Sequence, residues 1–199
     1  MPRTVAPAVA PGTMSSKRQP TIVVDDELTL RPFRFDDVDR VIEAFDDPDI
    51  RHWHTRQLES PTEAREWIGY GHILWLREQC ANFAVADANN RLVGRVGLYT
   101  DLSAGTVEIA YWILPDSRGS ALAARAGTAV TRWAHETLGL RRIVLEHAVS
   151  NTASCGVARS LGYELEGTAR SLHLLADGRH DVHLHAHIRG GPVSAAGTA

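Results

Sequence analysis

The 199-residue sequence holds a single lysine, Lys17, among 21 basic side chains, and only two cysteines, Cys80 and Cys155. Two cysteines so far apart fit neither a disulfide framework nor a paired metal motif, so they read as buried or incidental thiols of a reducing compartment. No segment approaches the length of a membrane span. The Ala-, Pro-, Thr- and Ser-rich start lacks the continuous apolar block of an export signal, which points to a cytoplasmic protein. GxGxxG and Walker-type loops are absent, as is any internal repeat, which excludes dinucleotide-binding, P-loop and solenoid architectures. A net charge of −3 excludes a broad nucleic-acid or anionic-membrane surface.

The composition that remains, 44% hydrophobic and 23% charged, is that of an ordinary globular protein with one core. The folded unit is expected over residues 22–189, after a disordered leader over 1–21 and before a flexible tail over 190–199. Met14 offers a second start within that leader.

Patterning sets the element order. Thr29 to Phe33 is a strand stopped near Pro32, and Asp36, Asp37 and Asp39 open a helix reaching Phe45. Asp46 to Pro61 reads as a turn-rich connection carrying His52, Trp53 and His54, and a second helix starts near Thr62. Asn82–Asp87 and Arg91–Thr100 are strands joined by Asn89-Asn90, followed by a strand over Thr106–Leu114. Leu122, Ala126, Val130 and Trp133 recur at helical spacing in a helix from about Ser120 to Leu138. A strand over Arg142–Val149, a short helix over Ser154–Leu161 and a hairpin turning at Asp177-Gly178 complete the chain. The class is mixed α/β, not a doubly wound sheet.

Two blocks carry chemistry. Tyr111-Trp112-Ile113-Leu114-Pro115 runs through a short loop into Arg118-Gly119-Ser120-Ala121-Leu122-Ala123. A strand, a tight loop and a fresh helix N-terminus leave several N–H groups pointing one way, a ready seat for a pyrophosphate. About thirty residues later comes Asn151-Thr152-Ala153-Ser154, with Ala158 and Arg159 in the helix that follows.

In this order and at this separation the blocks resemble the GNAT acyltransferases, and among them the RimJ/RimL-type acetyltransferases of ribosomal proteins. Leu30-Arg31-Pro32, Gly162-Tyr163-Glu164 and Asp177-Gly178-Arg179 extend the likeness across the domain. The resemblance implies a mostly antiparallel twisted sheet, splayed between the strand ending at Leu114 and the strand starting at Arg142, and flanked by helices. It implies acetyl-CoA as acyl donor and an amine acceptor, either a peptide or protein amino terminus or a small molecule, with no metal. A homodimer is compatible with it.

Carried over residue by residue, Arg118, Gly119, Ser120, Ala121, Leu122 and Ala123 would hold the pyrophosphate, with Arg159 nearby. Ile113 and Leu114 would pair with the pantetheine, a free N–H there would steady the oxyanion, and Asn151 would brace the arm. Ser154 would support the leaving thiolate, since the tyrosine some relatives place four residues later is Ala158 here. Glu146 and Glu108 compete as the base, and the local Leu-Glu…Ser-Asn match favours Glu146. Ala121 replaces the central glycine of the family loop. Negative φ is expected there, so only its methyl group, which could hold the phosphates back, argues for a non-catalytic binding module. His183, His185 and His187 share one strand face roughly 7 Å apart, too far for a metal by themselves.

Overall fold

An eight-stranded sheet in the order β1-β2-β3-β4-β5-β6-β8-β7 runs through the computed structural model, which describes residues 5–190. Its strands are β1 (Ile22–Val23), β2 (Leu28–Pro32), β3 (Cys80–Asp87), β4 (Leu92–Asp101), β5 (Thr106–Ile113), β6 (Arg142–Ala148), β7 (Glu164–Leu175) and β8 (Gly178–Ile188). The helices are α1 (Val38–Asp46), α2 (Pro48–Trp53), α3 (Pro61–Leu76), α4 (Leu122–Glu136) and α5 (Thr152–Ser160). Every strand pair is antiparallel except β5–β6. Among the described residues no helix is long and apolar enough to cross a membrane.

Each face of the sheet carries a core. Ile109, Ile143 and Leu145 join Ala126, Val130, Ala158 and Leu161 under α4 and α5. Ala84, Leu92 and Trp112 join Val41, Phe45, Ile50 and Ile68 under α1, α2 and α3. Because side chains alternate along a strand, neighbours on β5 face different helices, a point on which the site depends.

Local chemistry explains the element boundaries. Asn90 takes φ 62° in the β3–β4 turn, as the Asn-Asn pair predicts. The connection read as all turns contains α2, whose start is written as Asp47-Pro48. The Asp47 carboxylate accepts from Ile50 N at 2.9 Å, and proline occupies the first turn. Arg31 is 3% exposed and grips Asp37 through two 2.8 Å hydrogen bonds, while its Nε reaches Asn90 Oδ1 at 2.8 Å. The Leu-Arg-Pro signature thus bolts β2 to the start of α1 and to the β3–β4 turn.

Residues 5–21 are not the disordered leader expected there. The amides of Ala8 and Val9 donate to Ser103 O at 3.0 Å and Leu102 O at 3.1 Å. The Glu78 carboxylate gathers the amides of Gly12 at 2.8 Å, Met14 at 2.6 Å and Ser15 at 3.0 Å, and Met14 is fully buried. Composition looked loose, but two apolar side chains and one carboxylate suffice to dock the segment. The tail expected from 190 onward falls outside the described residues from 191.

Candidate active site

β5 and β6 pair only at Thr106↔Arg142, Val107↔Ile143 and Glu108↔Val144, then part. β5 stays bonded to β4 out to Gly94↔Ile113, and Leu114 N donates to Val93 O at 3.0 Å. In an antiparallel pair a residue's N–H and C=O leave the same edge, and the edges alternate. The amide of Leu114 is therefore used by β4, whereas Tyr111 and Ile113, beyond the last β5–β6 bridge, present theirs to the open wedge. Ile113 lies on the open edge, where its carbonyl accepts from Arg118 Nε at 3.2 Å, and Leu114 lies on the β4 edge.

The loop at the wedge mouth differs from expectation in its backbone. α4 starts at Leu122 rather than Ser120, and its N-cap, Ala121, has φ 52° and ψ 23°. That is the left-handed region, where negative φ was expected. The chain reverses from the 3-10 turn Pro115–Ser117 onto the axis of α4 through two positive-φ residues, Gly119 at 88° and Ala121. No side chain caps α4, whereas α2, α3 and α5 carry Asp47, Ser60 and Asn151 as caps. The amides of Leu122 and Ala123 therefore point outward with no partner from their own helix, beside the small Ser120. Arg118 does not extend toward this end. Its guanidinium meets Asp47 at 2.6 Å and Asp49 at 3.0 Å, and its Nε donates to Ile113 O at 3.2 Å.

Across the wedge, Asn151 caps α5 by accepting from Ser154 N at 3.0 Å, which turns the Ser154 hydroxyl free of capping duty. Sequence reasoning missed what faces it. The Tyr111 hydroxyl is buried without a hydrogen-bond partner. Burial pushes its pKa up to about 12, and the Ser154 side chain offsets part of that rise without reaching hydrogen-bond geometry. Tyr111 thus brings a phenol to the neighbourhood of Ser154 from the opposite strand. Its signal was the aromatic at the splay, which periodicity alone assigns to core. On the other sheet face the Trp112 Nε1–H is also buried and unpartnered. Arg159 lies one turn along α5 from Cys155 and donates to its Sγ at 2.9 Å.

Glu108 and Glu146 come together on the face of Trp112. Burial raises the Glu108 carboxyl above the usual range, and the Glu146 charge adds to it, partly opposed by Arg95. Glu146 stands 3.6 Å from His173 Nε2, and Arg142 pairs with Glu166 instead. At the outer rim His52 lies 3.8 Å from Asp177, which holds His180 at 2.7 Å, so α2 meets the β7–β8 turn. His54 packs edge-on to Phe45 at 5.0 Å, and burial lowers its pKa to about 4.

The three alternating histidines of β8 do not act as one set. His187 Nδ1 meets His135 Nε2 at 2.9 Å. His183 and His185 converge instead with His147 of β6 and Cys155 of α5.

Solved structures share this fold. A Salmonella typhimurium acetyltransferase that modifies the N-terminal serine of ribosomal protein L7/L12 superposes with TM-score 0.76 at 23% identity, covering 85% of this chain and 99% of that one. RimL, a ribosomal L7/L12 alpha-N-protein acetyltransferase solved with coenzyme A, gives 0.79 at 21% identity over 85% of this chain and 98% of its own. Mycobacterium smegmatis RimJ, solved with CoA-disulfide, gives 0.77 at 18% identity over 86% and 88%. No curated protein matches the sequence. The model of the acetyltransferase (GNAT) domain matches residues 27–164, from β2 through the splay and α5. With the wedge, the uncapped helix and that match in agreement, the chain belongs to the GNAT acetyltransferase family.

Proposed function

We propose that the protein transfers an acetyl group from acetyl-CoA to a primary amine, and that the acceptor is the amino terminus of a peptide or protein. The reading rests on one observation: a wedge in the sheet with an uncapped helix N-terminus at its mouth and a desolvated carboxylate at its apex. The names of the neighbours support the donor and the acceptor class.

The pyrophosphate would sit on the amides of Leu122 and Ala123, with Gly119, Ser120 and Ala121 forming the loop beneath. The pantetheine would add to the open edge of β5 at Tyr111 and Ile113, taking the carbonyl that Arg118 now holds. An edge N–H of that strand would donate to the thioester oxygen as it gains charge. The amine nitrogen attacks the carbonyl carbon, forming a tetrahedral intermediate, and collapse breaks the C–S bond. Glu108 takes the ammonium proton directly or through water. Burial shifts its carboxyl upward, the direction that strengthens a general base, and on that ground Glu108 takes the place that sequence reasoning assigned to Glu146. Glu146 and His173 would line the acceptor side. Ser154 and the Tyr111 hydroxyl would donate to the departing sulfur, the phenol remaining protonated throughout.

Thiol release from acetyl-CoA with peptides beginning in Ser or Ala, run against polyamines and free lysine, tests the reading. Turnover on peptides is expected. Binding of acetyl-CoA without turnover on any amine would leave a binding module, and no binding would remove the wedge from consideration.

A further inference from the structure

The cluster of His147, Cys155, His183 and His185 has a polarity that the protein alone does not satisfy. One ligating atom from each lies within 4.8 Å of every other, and the side chains come from β6, α5 and β8. His147 Nδ1 contacts Ala148 O at 2.8 Å, and His185 Nδ1 contacts Tyr163 O at 3.2 Å. A carbonyl only accepts, so both Nδ1 atoms carry the hydrogen and each neutral ring offers a lone pair at Nε2. Those two lone pairs face each other at 3.3 Å. A cation standing between them would take up both lone pairs. His183 Nδ1 is likewise buried with no partner.

We propose that these four residues bind a divalent transition-metal ion, Zn²⁺ above all, in a tetrahedral His₃Cys site that clamps α5 to β6 and β8. Zinc–nitrogen bonds of about 2.0–2.1 Å in a tetrahedron place two nitrogens roughly 3.3–3.4 Å apart, the separation seen between His147 and His185. The backbone carbonyls that fix both rings are the outer partners such ligands require. Cys155 Sγ, which accepts from Arg159 at 2.9 Å, would complete the set. His183 and His185, adjacent on one face of β8, lack convergence by themselves; the register His147↔His183 and the first turn of α5 supply it. The same turn holds Asn151 and Ser154, so an ion here would also stiffen that wall of the wedge.

Metal content of the dialysed full-length protein, followed by Co²⁺ and Zn²⁺ titration, tests the site. One equivalent of Co²⁺ should give tetrahedral d–d bands and a thiolate charge-transfer band. Cys155→Ser should abolish that band and weaken Zn²⁺ by more than the ~10–100-fold that loss of an outer partner costs. Zn²⁺ should raise the melting temperature of the parent protein and not of Cys155→Ser, and His183→Gln should weaken binding with circular dichroism unchanged. His187→Ala, in the neighbouring His135 pair, should leave the spectrum intact. An octahedral Co²⁺ spectrum, one indifferent to Cys155→Ser, or one lost in His187→Ala would overturn the proposal. So would the absence of binding at micromolar metal.

Discussion

Ala121→Gly separates two views of the phosphate loop by sign. At φ 52° and ψ 23° an alanine occupies the left-handed region, which costs an L-residue roughly 1–2 kcal/mol. Glycine removes that cost but brings about 0.4–1 kcal/mol of extra freedom to the unfolded chain. The difference leaves a net gain of about 0.5 kcal/mol, or a melting temperature higher by ~1–2 °C for a chain of this size. If the helix instead began at Ser120, as its sequence suggests, the same change would put glycine inside a first turn and cost about 0.5–1 kcal/mol. Ala121→Val widens the contrast, since a β-branched side chain at positive φ is an outlier, whereas valine in a helical turn costs only about 0.5 kcal/mol. Differential scanning calorimetry of the three proteins, with acetyl-CoA affinity by titration calorimetry, reads both effects. Affinity for Ala121→Gly should equal or exceed the parent's, because a methyl group leaves the anion seat. A lower melting temperature for Ala121→Gly together with no more than a comparable loss for Ala121→Val would refute the left-handed cap.

Glu108→Gln should lower turnover at neutral pH by about 100-fold, the lower end of general-base effects, and activity should partly recover as pH rises. The same variant should be more heat-stable at neutral pH. A carboxyl whose folded pKa is raised contributes stability below its ordinary pKa and loses it as pH climbs through the raised value, so its charge at neutrality opposes folding. Unchanged stability with unchanged turnover, both measured on one preparation, would exclude it as the base. Ser154→Ala should cut turnover about 10–100-fold with little change in KM for acetyl-CoA, because its bond strengthens only as sulfur gains charge. Met14→Ala should cost about 2–5 kcal/mol in urea unfolding if the docked N-terminal segment belongs to the core.

What the sequence showed and what it hid divide along physical lines. Strand alternation, helical spacing and turn residues act locally, so β2 to β8, α1 and α3 to α5 were legible, whereas the splay came only with the family resemblance. Contacts between distant segments were not legible. Met14 and Val9 look like leader residues until Leu102, Ser103 and Glu78 receive them. The left-handed turn at Ala121 was hidden because alanine is a strong helix former, and tertiary closure of the loop overrides that preference. Arg118 fits the family pattern for an anion seat, yet two aspartates on α2 claim its guanidinium. Whether a basic side chain serves a ligand or a neighbouring carboxylate depends on spatial company that one sequence position does not encode.

The residue pair Tyr111-Trp112 shows how much of the catalytic arrangement follows from strand geometry once the splay is known. Adjacent side chains on β5 must face opposite sides of the sheet. Tyr111 therefore enters the α4–α5 side, where Ser154 stands, and Trp112 enters the α1–α3 side, with Glu108 and Ala110 in its row. Each carries one buried N–H or O–H without a partner, a cost of about 1–3 kcal/mol apiece in an unliganded fold. A thioester lying in the wedge between β5 and β6 would have its sulfur toward the first side and its attacking amine toward the second. The two orphan donors would then flank the scissile bond, the phenol toward the leaving group and the indole N–H toward a carbonyl of the acceptor. Replacing Trp112 with Phe should for that reason raise KM for the amine while sparing acetyl-CoA affinity, whereas Tyr111→Phe should act on turnover together with Ser154. An equal effect of both variants on acetyl-CoA binding would mean that the strand does not divide the two substrates in this way.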